Sequence, residues 1–464
     1  MSLQDILTTG APLLDQAAIL RSIRVAAGAF APGHLGELTR IVPFELVDDV
    51  LERVGAVQQR VRVLPARVVV YLLLAAALFP ELGYPLVWAR LCAGLGPFGP
   101  YCVAPSALRQ ARQRLGPAPL KALFELIVGP APCTARSATH YRGLLVAAID
   151  GTVLSVPDSA ANLQVYPKQR CNHGSGGYPQ LRLLALVACG TRSVIGAVFG
   201  SAQVGETRWA ADLTGHLKAG MLLLADRNFA ARDLLEQCAA DGCHLLVRCK
   251  NGRRLPCVGR LGDGTYLARI GALTVRVITA EITIATAAGR TTGVYRLLTT
   301  LTDPAQHPVL SLVRLYHQRW EIESCYAELK STILGGRVLR AQSPAGIEQE
   351  LYALLTAYQV LRIAMTDATD TTVGTDPDRA SFTIALHTAR DQLILAQGVI
   401  DETGIDLAGT IGQHVLAHLL PDRRLRTKDR IVKRAISKYN ARGPVIDRTT
   451  YKATISIDVL TPDP

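Results

Sequence analysis

The chain contains no CxxC pair. Its ten cysteines are scattered at positions 92, 102, 133, 171, 189, 238, 243, 249, 257 and 325, which excludes both the ligand spacing of a zinc site and the dense framework of a small disulfide-stapled fold. They read as reduced core thiols of a cytoplasmic protein. A membrane span is also missing: the longest apolar run, Val68 to Phe79, would cover about 18 Å as a helix, whereas a bilayer core needs roughly 30 Å. That run is therefore expected to be a buried core helix. The opening stretch MSLQDILTTGAPLLDQAAILRSI lacks the basic segment, apolar run and small-residue cleavage site of an export signal. Internal repeats and low-complexity segments are absent. Acid is the scarcer charge, 38 Asp and Glu against 50 Lys and Arg, giving +12 and a pI near 9.3. This balance points to a polyanion as partner, because cations that neutralise phosphates gain from counterion release.

What is present describes a folded protein: 464 residues, 49% apolar and 19% charged, enough for several domains with a sizeable core. Residues 1–135 read as a helical N-terminal domain, with helical periodicity over Phe44 to Val57 and in the apolar run after Pro65. Gly116 and Pro117 divide Ser106 to Leu115 from Leu120 to Ile127. Arg109, Arg112, Arg114 and Lys121 give this pair either a DNA-contacting face or the solvated face of an ordinary helical hairpin.

Residues 140–250 change to strands. GLLVAAID is an apolar run ending in Asp150, and MLLLAD is a second one ending in Asp226. Leu181 to Ala188 and Ser193 to Phe199 read as a hairpin turned at Cys189 to Arg192. Helices at Glu206 to Leu217 and Ala230 to Ala240, and a strand at HLLVRC, complete the order. Three strands, helix, strand, helix, strand matches a mixed-sheet α/β core of the RNase H-like type. Residues 251–304 read as a β-rich insertion of short strands: Tyr266 to Ile270, Leu273 to Thr279, Ile282 to Ala287 and Val294 to Thr299. Residues 305–370 return to the core with one helix from Pro308 to about Leu334 and another from Gly346 to Met365. The last part, 371–464, reads as a helical basic region, with TTVGTDPD as a linker and Arg423 to Arg442 as a basic segment for nucleic acid.

The stretch LYHQRWEIESCYAELK, Leu315 to Lys330, carries charges that packing does not require. At about 100° per residue, with Tyr316 at zero, Arg319 falls near 300°, Glu323 near 340° and Lys330 near 320°. Glu321 and Glu328 fall near 140° and 120°, away from that stripe. Leu315, Ile322, Cys325, Tyr326, Leu329 and Ile333 form the apolar band. A carboxylate between two cations beside a buried face suits phosphodiester chemistry, in which several carboxylates converge on hard cations. Asp150, Asp226 and Glu323 are the candidates. Cys171 with His173 has no metal-ligand spacing, and Lys168, Arg170 and His173 read as a surface loop.

Tyr316, two residues, Arg319, three residues, Glu323, six residues and Lys330 reproduce a spacing that resembles the Y-(2)-R-(3)-E-(6)-K motif of the insertion sequence 4 family of DDE transposases. AIDGT at 148–152 and LLLADRNF at 222–229 are similar to the family's two aspartate motifs. The resemblance runs from about residue 40 to 365 and thins toward the C-terminus. It implies a DNA transposase in which Asp150, Asp226 and Glu323 bind two Mg²⁺ ions, with Mn²⁺ as a substitute. Those ions serve first-strand nicking and then attack of the freed 3′-hydroxyl on target DNA. The resemblance also implies that Arg319 and Lys330 hold phosphate oxygens, and that Tyr316 contacts a phosphate of the transposon end. The implied partners are double-stranded DNA, as terminal inverted repeats and target, and a second copy of the chain in a synaptic complex at the bacterial nucleoid. Where family members pass through a DNA hairpin, a flipped base stacks on an aromatic side chain. Trp320, Trp209 and Tyr266 are available, and Trp320 is expected to pack. A domesticated DNA-binding protein without catalysis and a metal-dependent nuclease without strand transfer are the competing readings.

Overall fold

The computed structural model describes residues 34–58, 64–94, 103–168, 170–171, 174–175, 177–396, 409–421, 426–427, 449 and 451–460. Five helices open it: α1 (Phe44–Arg53), α2 (Ala66–Leu78), α3 (Tyr84–Ala93), α4 (Pro105–Leu115) and α5 (Ala118–Ile127). In α2, ARVVVYLLLAAAL, all but two residues are buried, as a helix with no polar face must be in a soluble core. Among the described residues no helix is long and apolar enough to cross a membrane. These helices share one apolar core with the sheet that follows.

That sheet is built from β1 (Leu144–Ser155), β2 (Gln180–Ala188), β3 (Val194–Ser201), β4 (Met221–Ala225) and β5 (His244–Cys249). Its order is β3-β2-β1-β4-β5, with β1, β4 and β5 parallel and β2 and β3 antiparallel. This is an RNase H-like sheet. Short helices α6 (Glu206–Ala211) and α7 (Arg232–Ala239) cover one face; α6 is the first part of the longer helix expected to reach Leu217, the remainder being a separate turn at Thr214–His216. The other face receives the helices from both ends of the chain.

Several expectations are corrected. Asp150 does not end its strand: β1 continues to Ser155, because Gln180 to Leu184 of β2 keep pairing beyond the last β1–β4 pair, Ile149 with Ala225. The insertion holds a two-residue strand, Gly259–Arg260, and three longer ones, β6 (Tyr266–Ile270), β7 (Leu273–Thr286) and β8 (Gly289–Thr299). Leu273 to Ala287 does not break, since β7 and β8 pair without interruption from Arg276–Thr299 to Thr286–Gly289. The insertion joins the core sheet through the pairing of β8 with β5, and with the short strand His140–Tyr141 and a C-terminal strand the whole sheet has 11 strands.

The expected single helix from Pro308 to Leu334 is three kinds of helix in succession. α8 (Val309–Tyr316) gives way to a 3₁₀ turn (His317–Trp320), then α9 (Glu321–Ala327), then a π segment (Glu328–Ile333). The long α10 (Pro344–Asp370) packs behind it, capped by the Ser343 side chain. TTVGTDPD connects α10 to the next helix, and Asp378 at its end is ion-paired to buried Arg192. The C-terminal region adds α11 (Phe382–Leu395) and α12 (Gly409–Ala417) but ends as a strand, β9 (Thr454–Val459), paired with β7. Residues 1–33, Cys171 and His173 as a pair, and nearly all of Arg423 to Arg442 lie outside the described residues; Arg426–Thr427 alone forms a two-residue strand against Tyr451–Lys452.

Candidate active site

Parallel pairing sets the site. Ile149 of β1 is the partner of Ala225 of β4, and Ala225 is the partner of Val247 of β5. The next residue on each strand is Asp150, Asp226 and Arg248. Side chains alternate along a strand, and Ala148, Leu224 and Leu246 belong to the core on the helix-bearing face, so these three side chains line up across that face. Asp226 is the cap of the turn after β4, accepting from the Asn228 backbone N–H at 2.7 Å. Asp150 accepts from the Gly151 N–H at 2.8 Å.

The irregular helical span lies across this row; three residues of its polar stripe bond to the sheet, and the fourth, Glu323, bonds to Arg319. Tyr316 donates its hydroxyl to the Ala225 carbonyl at 3.1 Å. Arg319 donates from Nη1 to Asp150 Oδ2 and from Nη2 to Glu323 Oε1, both at 3.2 Å. Lys330 Nζ donates to Thr152 Oγ1 at 3.1 Å. The stripe survives the irregularity for a physical reason. A 3₁₀ turn overwinds the chain to 3.0 residues per turn, and the π segment that opens after α9 underwinds it, so that part of the overwinding is undone by Lys330. Glu321 and Glu328 point away, to Arg192.

Burial, opposed by the Gly151 N–H and Arg319 and assisted by Asp226 and Glu323, pushes the Asp150 carboxyl up to about 6. Burial also works against the charge of Arg319, but Tyr316, Asp150 and Glu323 outweigh it and hold the guanidinium above its ordinary value. The Tyr316 phenol is pushed up by burial. Its ring is buried and its hydroxyl is turned to the strand, so it props the span on β4. Tyr326 gives a second prop: its hydroxyl donates to the Asp150 carbonyl at 2.6 Å and accepts from the Ala185 N–H at 3.0 Å.

No three His, Cys, Asp or Glu side chains among the described residues form a ready cage for a metal ion. The Arg319 guanidinium lies between two of the three acids and supplies the positive charge that the cluster needs. The donor set itself, carboxylates with no sulfur or imidazole, suits a hard divalent cation.

One neighbouring pair, Arg248 with Tyr295, was not singled out in the sequence. Arg248 stacks over the Tyr295 ring at 4.0 Å, beside Asp226; its signal was an arginine at an inward position of the apolar strand HLLVRC. Trp320 is 47% exposed, contrary to the expectation of packing, with Arg319 at 5.7 Å from its ring. Trp209 packs against Gly200, and Tyr266 is buried with its hydroxyl bonded to Arg296. In the helical hairpin, Arg109 and Arg114 are exposed. Arg112, however, stacks on Tyr84 at 3.5 Å, and its carbonyl accepts from Gln349 of α10.

A sheet of this order carrying these acids is matched by comparison. Residues 141–360 match the transposase DDE domain model. This is the domain of DDE transposases, an enzyme class that binds, cleaves and transfers DNA and in general uses divalent metal ions. Residues 32–125 match the model for the insertion element 4 transposase N-terminal region. The transposase InsG for insertion sequence element IS4 of Escherichia coli (strain K12) is 30% identical over 411 residues, covering 85% of this chain and 91% of InsG. The chain belongs to the insertion sequence 4 family of transposases. A cryo-EM structure of a piggyBac transposase synaptic complex with hairpin DNA overlaps 92% of this chain and 90% of its own, at TM-score 0.43 and 10% identity.

Proposed function

We propose that this transposase nicks the ends of its element and joins the freed 3′-hydroxyls to target DNA, with Asp150, Asp226 and Glu323 as the ligands of two Mg²⁺ ions. The observation that carries the reading is the convergence of these acids: Asp150 and Asp226 follow a parallel pair, and Arg319 ties Asp150 to Glu323. Divalent ions bound there supply activation of the attacking oxygen and stabilisation of the leaving one. The chain's own groups do the rest. Arg319, once released from the carboxylates, offers a planar fork to a phosphate, and Lys330 a mobile point charge on the same stripe. Arg248, held flat by Tyr295, adds a third cation beside Asp226. Trp320 is the exposed aromatic surface nearest these groups, suited to stacking an extruded base. Two copies acting on paired terminal inverted repeats complete the proposal.

Incubating the protein with DNA carrying the element's terminal repeats and Mg²⁺ is expected to give 3′-hydroxyl nicks and then joined products, read by sequencing. Glu323→Gln is expected to abolish both while leaving end binding intact. Cleavage without joining would favour the nuclease reading, and no cleavage with any divalent metal would leave a binding protein.

A further inference from the structure

We infer that Arg192, at the turn between β2 and β3, is the positioning residue that fixes the rotation of the Glu323-bearing helix relative to Asp150. This rests on the reading of Glu323 as a metal ligand and adds the device that aims it.

The span His317–Ile333 passes through 3₁₀, α and π geometry, so its backbone ladder does not by itself fix where each side chain points. External anchors must do so. On the side facing away from Glu323, two carboxylates of the span end on one guanidinium. Arg192 Nε donates to Glu321 Oε2 at 2.7 Å and Nη1 to Glu328 Oε1 at 2.9 Å, while Nη2 pairs with Asp378. Glu321 belongs to α9 and Glu328 opens the π segment, so one rigid fork bridges the junction between them. A lysine has no such fork.

Arg192 is itself held on both sides. It is 7% exposed and adopts a left-handed backbone, φ 56°, which a non-glycine residue keeps only when its surroundings demand it. Its carbonyl accepts from the Tyr358 hydroxyl of α10 at 3.2 Å; that hydroxyl also lies 2.9 Å from Glu328 Oε2, which pairs in addition with Arg362. Arg192 therefore belongs to a buried network spanning the hairpin, the catalytic span, α10 and the segment after it.

The consequence for the site follows from connectivity. Arg192 sits on the hairpin whose strand β2 pairs Ala185 with Asp150. Tyr326 bridges that same pair from the other side of the span. The span is thus clamped to β1–β2 by Arg192 on one flank and by Tyr326, Arg319 and Lys330 on the other, and the separation of Glu323 from Asp150 depends on both clamps. With its nitrogens engaged by Glu321, Glu328 and Asp378, Arg192 acts on Glu323 only through the helix.

The test uses the full-length protein and Mn²⁺ alone as probe, with binding followed by electron paramagnetic resonance and local opening by amide hydrogen exchange. Arg192→Lys is expected to weaken Mn²⁺ binding on the order of tenfold, the lower end of what loss of an orienting partner does. Amide exchange over residues 317–334 is expected to accelerate, with β1 unchanged. Asp378→Asn, which spares both anchors to the helix, is expected to lower the melting temperature and leave Mn²⁺ affinity as in wild type. Wild-type affinity and exchange in folded Arg192→Lys would overturn the inference. Should that variant not fold, Glu321→Gln decides in the same way with a smaller effect, since it weakens one of the two Arg192 anchors and leaves the contacts of Glu328 to Tyr358 and Arg362 in place. Failure of the underlying reading is distinct: Glu323→Gln would then bind Mn²⁺ as wild type does.

Discussion

Nη1 of Arg319 lies 3.2 Å from Oδ2 of Asp150, and its other terminal nitrogen lies equally close to Glu323. The guanidinium therefore holds together two acids that would otherwise repel. Arg319→Ala is expected to destabilise the metal-free protein by about 2 kcal/mol, less than the roughly 3–5 kcal/mol for a fully buried pair because both partners are partly exposed. Saturating Mn²⁺ is expected to narrow the gap in melting temperature between variant and wild type, since the ion replaces the missing counter-charge. A gap unchanged by metal, measured by differential scanning calorimetry, would contradict this.

Burial raises the Asp150 carboxyl to about 6 from 3.8. A raised acid binds its proton more tightly folded than unfolded, so the stability it contributes is present below about pH 4 and is lost as pH rises through about 6. The ceiling is about 3 kcal/mol, at roughly 1.4 kcal/mol per pH unit. In EDTA, Asp150→Asn should remove this fall between pH 4 and 6. Urea midpoints that decline equally in both proteins would assign the loss to other groups.

Tyr326 inserts its hydroxyl between the Asp150 carbonyl and the Ala185 N–H. Tyr326→Phe leaves two buried backbone groups without that partner, at a cost of about 1–3 kcal/mol. Chemical denaturation should report it, and cleavage activity should fall as well because the same hydroxyl seats the helix on β1. Full activity with the stability loss would make the contact a matter of folding alone.

Arg248 on Tyr295 is expected to meet one DNA phosphate. Arg248→Ala should then reduce the slope of log K against log salt by about 0.9, weakening all DNA ends alike. Tyr295→Leu, which removes the ring that holds the guanidinium, should give a smaller change in the same direction. A slope equal to that of wild type, from binding titrations at several salt concentrations, would place Arg248 off the DNA path.

Much of the site was legible in the chain because its signals are local. The spacing of Tyr316, Arg319, Glu323 and Lys330 is a helical period, and the wheel separated Glu323 from Glu321 and Glu328 as the structure does. The apolar runs before Asp150 and Asp226 announced buried strands, and the order of elements gave the core. What failed also had local causes. β-branched residues and threonines on both sides of Ala280 read as two strands, while pairing along β8 makes them one. Trp320 looked like a residue to bury, yet it is open at the site.

The sequence by itself determined the composition that calls for a polyanion, the strand and helix order, and which acid of the helical span shares a stripe with Arg319. Only the tertiary structure decided that Asp150 stands in mid-strand, that Arg319 occupies the space between Asp150 and Glu323, and that Arg192 anchors the far side of the span. The reason is that helical periodicity is written in neighbouring residues. Strand register joins residues tens of positions apart, and buried ion pairs join residues more than a hundred apart, as Arg192 and Glu321 are; such pairing has no signature until the sheet brings the partners together.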